Sequence, residues 1–296
     1  MSWLWAVFTV LAAGGQVLRN AQQKELTGTL GTVGATHVRF LFGLPFGLLF
    51  LALVLLATGQ GLPALNAAML AWSTGAALAQ IGATALLLAA MRERSFVVTT
   101  AYAKTEPVQV AVFGLAFLGD QLSLGLAVAI LMATAGVLTM SWPRSNAAEA
   151  FTWRPAILGI ASGAMFAIAA IGFRGGIRAL DAANFVAAAT TTLVLGLIIQ
   201  TAVLSTYLFL FDREKLLAIF REWRPSMLAG FTGAFASQMW FLAFALETAA
   251  KVRTLALVEV LFAQVLSRNL FKQRLASREA LGILLIVAGV ILLLNI

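Results

Sequence analysis

EPVQVAVFGLAFLGDQLSLGLAVAILMATAGVLTM, residues 106 to 140, lies on EVLFAQVLSRNLFKQRLASREALGILLIVAGVILL, residues 259 to 293, without a gap and at a constant offset of 153. Nine of the thirty-five positions are identical, among them Glu106 with Glu259, Leu122 with Leu275 and Ala135-Gly136-Val137 with Ala288-Gly289-Val290. The relation extends beyond this window, since Gly43 meets Gly196 at the same offset and Arg19 meets Arg174 after a shift of two residues. A duplication of about half the chain is therefore the first expectation. What it means depends on the solvent in which the chain folds.

That solvent is lipid. Of the 296 residues, 61% are hydrophobic and 11% charged, and the mean hydropathy is +0.95, far from an ordinary globular domain. Ten apolar stretches stand out: Trp3 to Leu18, Ala35 to Thr58, Ala68 to Met91, Phe96 to Leu118 and Leu122 to Trp142, then Ala156 to Phe173, Phe185 to Phe211, Met227 to Leu246, Val252 to Leu270 and Ala280 to Ile296. Most reach the roughly 20 residues that carry a helix across about 30 Å of hydrocarbon. The alternation of a transmembrane β-strand is not visible in them, and helices satisfy their own backbone groups. The first stretch lacks a basic leader and a small-residue cleavage site, so it reads as a span and not as a signal peptide.

Composition also narrows the chemistry. With no cysteine and one histidine, thiolate metal sites, disulfides and thiol nucleophiles are excluded, and a histidine-rich metal centre with them. The aspartates Asp120, Asp181 and Asp212 fall in or near loops, which with no cysteine and one histidine weighs against an intramembrane enzyme. A net charge of +8 would point to nucleic acid in a soluble protein; here the cations sit in short loops and read as topology. The side opposite the termini collects Arg19, Lys24, Arg92, Arg94, Arg144, Arg154, the Arg213 to Arg224 group, Lys272, Arg274 and Arg278. The termini side carries Arg174, Arg178, Lys251 and Arg253. The positive-inside rule then puts both termini outside the cytoplasm. Within Phe211 to Pro225 the basic residues alternate with Leu216, Leu217, Phe220 and Trp223, which suits either a short helix on an anionic lipid surface or a solvated loop.

Five spans per copy is an odd number, so the second copy enters the membrane with the opposite orientation. The expected fold is an all-α membrane protein of about ten transmembrane helices, arranged as two inverted five-helix repeats, residues 1–145 and 150–296, around a central cavity. Inverted repeats frame sites reached in turn from the two sides of the membrane.

Polar residues at lipid depth are costly and mark a partner, a cavity or a pathway. The fourth span holds the densest set, Tyr102-Ala103-Lys104-Thr105-Glu106-Pro107-Val108-Gln109. On a continuous helix Tyr102, Glu106 and Gln109 share a face, while Lys104 points about 200° away from Glu106. Pro107 is expected to kink that helix and free a carbonyl near Ala103. Glu106 then either titrates or faces a substrate amine, with Lys104 or Arg39 for an anionic group, or the charges lock two helices together. Glu259, in Ala256-Leu257-Val258-Glu259-Val260, has a plainer setting, so the site is expected to lean toward the fourth helix. His37 reads as a proton relay or a helix-end histidine, and Arg39 as an inward ligand or, preferably, a residue snorkelling to headgroups. Gln80 and Gln238 join helices or hold a ligand. Trp240 stands mid-span, unlike the six tryptophans near span ends, and either packs as core or lines a cavity. The pairs Gly43/Gly47 and Gly159/Gly163 have the spacing of close helix contacts.

Two five-span halves with Phe117-Leu118-Gly119-Asp120-Gln121-Leu122 followed by Ala135-Gly136-Val137 resemble the drug/metabolite transporter superfamily, and within it the EamA-type ten-helix exporters. The second copy departs from the acidic turn, with Phe271-Lys272-Gln273-Arg274-Leu275 in its place. The resemblance implies a secondary transporter in the cell inner membrane, without ATP or another cofactor, that exports small organic solutes such as amino acids or related metabolites. It also implies cytoplasmic termini, against the charge count. Tyr102, Lys104, Glu106, Gln109, Trp240, Glu259, His37, Arg39, Gln80 and Gln238 are the candidate substrate-binding or coupling residues, and both proton coupling and simple facilitated efflux fit them. A channel or lipid scramblase is the alternative; an intramembrane enzyme fits less well. A nucleic-acid partner is not expected.

Overall fold

The computed structural model describes residues 3–93, 99, 102–141, 153–180, 182, 184–262 and 277–296. Arg94, Arg144, Asp181 and the segment Phe271 to Leu275, with Lys272 and Arg274, lie outside them. All regular structure among the described residues is helical: α1 (Leu4–Leu41), α2 (Gly43–Thr58), α3 (Ala67–Glu93), α4 (Glu106–Leu118), α5 (Leu124–Ser141), α6 (Trp153–Ala179), α7 (Phe185–Phe211), α8 (Arg213–Arg221), α9 (Trp223–Leu246), α10 (Ala249–Leu255) and α11 (Ser277–Leu294). The segment Leu4–Thr58 and helices α3, α6, α7 and α9 are long and apolar enough to cross a membrane. The chain is a multi-pass membrane protein.

The first correction concerns α1. The span expected to end at Leu18 continues as helix to Leu30, and the reversal comes at Gly31, whose φ of +67 is open to glycine and strained for other residues. The 27 residues from Leu4 to Leu30 make a rod of about 40 Å. The chain then folds back, and Gln23 donates from Nε2 to the Ala35 carbonyl across the hairpin at 2.8 Å. Arg19 and Lys24 are thus helix residues and not loop charges. Arg19 is 1% exposed. Two cations assigned to the termini side move inward as well. Arg253 is buried within α10, and Arg174 is buried at the end of α6. The short segment with repeated basic residues is indeed a helix, α8, capped by the Asp212 carboxylate on the Lys215 amide; Ile219 is buried while Leu217 and Phe220 are exposed.

Helix packing is dominated by contacts between the halves. The main partners are α3 with α6, α1 with α9, α5 with α11 and α2 with α7; α4 packs on α6 and α10 on α1. Small residues let the backbones approach. A Cβ at Gly47 would stand 2.7 Å from a Leu197 methyl of α7, and one at Gly163 would stand 2.8 Å from the Ala103 carbonyl oxygen. One at Gly136 of α5 would meet the Gly282 carbonyl of α11 at 2.7 Å. Both small-residue pairs picked out by spacing therefore sit at close helix contacts.

The Leu-Gly-Asp turn has a physical purpose. Gly119 ends α4 in the left-handed conformation, φ +65. Asp120 then receives Arg174 Nη1 on both carboxylate oxygens, at 2.8 and 3.0 Å, and Arg174 Nε donates to the Glu247 carbonyl at 3.1 Å. One side chain so ties the ends of α4, α6 and α9 together.

Candidate functional site

The residues of the fourth span do not form one kinked helix. Lys104 and Thr105 are a turn, and a new helix, α4, starts at Glu106 with Pro107 in its first turn, where a missing amide hydrogen costs nothing. The expected kink is a break. Tyr102 precedes the break and packs on α6, where a Cβ on Gly159 would come 2.5 Å from the Tyr102 Cβ. The matched region of the second half is interrupted too, with α10 passing into a 3-10 turn at Ala256–Val258 immediately before Glu259. Both acidic residues therefore stand just past a discontinuity in a helix, where unpaired backbone groups and side chains can turn toward one another.

The two interruptions meet through charge. Lys104 Nζ lies 2.6 Å from Glu259 Oε1, and Arg253 Nε lies 3.0 Å from Glu106 Oε1; the four side chains are between 1% and 6% exposed. Lys104 and Glu106 reach apart, each to a partner in the other half. Glu259 accepts a second bond from Gln16 Nε2 at 3.0 Å, and the Gln16 Oε1 accepts from Trp240 Nε1 at 3.1 Å. The Arg253 guanidinium stacks over the Trp240 ring, 4.4 Å from its centroid, and faces Phe244 at 5.4 Å. Glu106 is held less fully. Neither its Oε1 nor Arg253 Nε makes an aligned hydrogen bond, so that contact is an ion pair by proximity.

Two further guanidiniums complete the cluster. Arg19, one turn beyond Gln16, gives Nε and Nη2 to Asn20 Oδ1 at 3.2 and 2.7 Å and lies within Coulombic reach of Glu259 and Arg253. Its Nη1 is buried and has no hydrogen-bond partner among the described residues. Arg39 is 2% exposed and donates to Thr84 Oγ1 at 3.1 Å and Ser237 Oγ at 3.4 Å, which overturns its reading as a snorkelling residue. Gly233 of α9 admits both stems: a Cβ there would lie 3.1 Å from Arg39 Cγ and 3.5 Å from Arg19 Cδ.

Of the residues singled out from sequence, Lys104, Glu106, Glu259, Trp240 and Arg39 converge here. The others do not. His37 Nε2 pairs with Ser205 Oγ at 2.9 Å, Gln80 accepts from Gln200 at 2.8 Å, and Gln238 donates to Thr190 at 2.9 Å, each a helix-to-helix bond. Gln109 turns back to Thr105 at 3.5 Å, and its Oε1 has no partner. Sequence reasoning missed Gln16, Arg19 and Arg253. A cleft of about 400 Å³ between α3, α4 and α6, lined by Ala68, Trp72, Phe117 and Ile171 among others, shares no residue with the cluster and presents almost only hydrocarbon.

A multi-pass helical bundle with a charged interior built by both halves is an arrangement that polytopic transport proteins use. Residues 153–295 match the model of the EamA-like transporter family, so this half of the chain belongs to that family and to the drug/metabolite transporter superfamily. It is a family of membrane transporters of small solutes and not of enzymes. No curated protein matches the chain. Among solved structures, one described only as the crystal structure of a protein superposes with a TM-score of 0.69 at 16% identity, over 98% of this chain and 94% of its own; the likeness is one of fold.

Proposed function

We propose that the chain is a secondary transporter of the cell inner membrane that exports small organic solutes, amino acids or related metabolites, by alternating access between two inverted five-helix repeats, residues 1–145 and 150–296. The observation that carries this reading is the crossed pairing at the centre: Glu106 is held by Arg253 and Glu259 by Lys104, each carboxylate by a cation of the other half. Two features support the repeat. Both acidic residues follow a helix interruption at the matched position, and the cross-half contacts come in sets that exchange when the halves are exchanged, α1 with α9 and α6 with α3.

The mechanism follows from the electrostatics of that centre. Separating the halves on either side requires the crossed pairs to loosen, and leaving a buried charge unpaired costs several kcal/mol. A solute that offers its own charged groups takes over one partner of each pair and lowers that barrier. An unloaded carrier stays latched. A proton on Glu106 would release Arg253 in the same way, so coupled and uncoupled export share one geometry. Trp240, stacked on Arg253 and bonded to Gln16, holds the cation in register for the solute.

The test is solute counterflow in proteoliposomes with Glu106→Gln. The variant is expected to fold, since the Glu106 contact is the less ordered of the two, and to lose counterflow or its response to pH. Wild-type rates with a wild-type pH profile would remove Glu106 from the mechanism.

A further inference from the structure

The central cluster is not electrically balanced. Among the described residues the buried carboxylates are Glu106 and Glu259, and the buried cations around them are Lys104, Arg253, Arg19 and Arg39. Lys104 and Arg253 are matched by the two carboxylates; Arg19 and Arg39 are not. The hydrogen bonds that Arg19 and Arg39 make go to an amide oxygen and two hydroxyls, all neutral. Arg174, the other buried arginine, is matched by Asp120 and lies in the separate latch at the ends of α4, α6 and α9.

Two uncompensated guanidiniums at this depth are unusual. Each is 1% or 2% exposed, and the two share the opening above Gly233. Arg19 feels Arg253 and, more strongly, Glu259, a carboxylate already paired with Lys104; Arg39 feels Arg19 and Arg253. Arginine does not shed its proton at ordinary pH, so the charge cannot be removed by neutralisation. Like charges held together in a low-dielectric interior raise the energy of the empty site, and an anion placed between them lowers it. The buried Nη1 of Arg19, with no hydrogen-bond partner, is a donor ready for such an anion.

On the transport reading above, we infer that the solute carries two negative charges, as a dicarboxylate or a phosphate monoester, and that Arg19 and Arg39 bind its anionic groups. Oxygen anions suit them because the planar guanidinium presents paired donors to carboxylate and phosphate alike. An ammonium group on the same solute would be received by Glu106, the carboxylate with the looser partner. Zwitterions of zero net charge and cations leave the excess charge of the site unanswered, whereas an acidic amino acid brings two anionic groups beside its ammonium.

The experiment is counterflow in proteoliposomes of the full-length protein with labelled succinate, glycerol 3-phosphate, leucine and putrescine, run beside Arg19→Gln, Arg39→Gln and the charge-keeping Arg39→Lys. Succinate or glycerol 3-phosphate should exchange at least about tenfold faster than leucine or putrescine, the size of effect expected from charge-assisted hydrogen bonds. Which of the two is faster distinguishes carboxylate from phosphate. Either glutamine variant should raise the KM for the dianion about tenfold or more, and Arg39→Lys should recover part of it. In detergent, the preferred dianion should raise the melting temperature of the wild type and fail to raise that of Arg19→Gln. Exchange of leucine or putrescine as fast as both dianions would overturn the charge assignment while leaving the transport reading in place. Saturable exchange of none of the four, with no thermal shift, would count against both.

Discussion

Glu259 and Glu106 occupy equivalent positions 153 residues apart, yet the protein holds them differently. Glu259 is fixed from two sides, by Lys104 at 2.6 Å and by Gln16 at 3.0 Å, and Gln16 is itself fixed by Trp240. Among the described residues the ion pair of Glu106 is with Arg253, and that contact lacks an aligned hydrogen bond. The comparison assigns unequal tasks to matched residues: the second-half carboxylate anchors the cluster, and the first-half carboxylate is the one free to change partners. From sequence, the rich surroundings of Glu106 lean the site toward the fourth helix; the contacts give the firmer hold to Glu259.

The largest effect should come from breaking the anchor. Glu259→Ala leaves Lys104 buried and uncompensated, and is expected to cost about 3 to 5 kcal/mol, seen as a lowered melting temperature and poor folded yield in detergent. The double variant Lys104→Met/Glu259→Met should recover most of that loss; equal loss in the double and the single would show that the pair is not what the stability rests on. Glu106→Gln should be clearly milder in the same melt while being as damaging to counterflow. Equal destabilisation by the two carboxylate changes would erase the distinction. Next comes the wall behind the broken helix: Gly159→Ala drives a methyl into the Tyr102 Cβ, and about 1 to 3 kcal/mol of overpacking is expected, with reduced transport as residues 102–105 shift. The smallest effect belongs to Gln80→Leu, which removes one interhelical amide bond and should cost about 0.6 kcal/mol with counterflow unchanged.

Much of this contrast was legible in the sequence. The apolar stretches mark most of the spans, the offset of 153 pairs Glu106 with Glu259, and two-residue spacing sends Lys104 away from Glu106. Arg19 and Arg253 were hidden for one reason: charge near the end of an apolar stretch reads as a loop in a hydropathy profile, and Gln16 stood unremarked inside the first stretch. From Arg19 to Leu30 the chain is polar on average, yet it is helix because one face lies buried against the other half. The signal was present as spacing. Gln16, Arg19, Asn20, Gln23, Leu26 and Leu30 recur at three and four residues, and all six are buried. A polar stripe at helical period is an interior face of a helix bundle, whereas loop charges follow no period. The break at Lys104–Thr105 was harder to foresee, because a proline inside a helical pattern signals a kink as readily as a new start.

The chain contains no cysteine, so a single thiol can report on the centre without background. Gln109 stands outside the charge cluster but one turn beyond Glu106 on α4; it is half-buried, and its side-chain hydrogen bond goes to nearby Thr105 at 3.5 Å, which makes Gln109→Cys a mild change. In oriented vesicles, labelling of this thiol by a membrane-impermeant maleimide tests the central claim most directly. The account predicts that the reagent reaches it from either side of the membrane, and that transported solute slows labelling from one side or both. Labelling from one side only, at a rate that no exchanged solute alters, would contradict a site at the meeting of the two halves that opens alternately to each face.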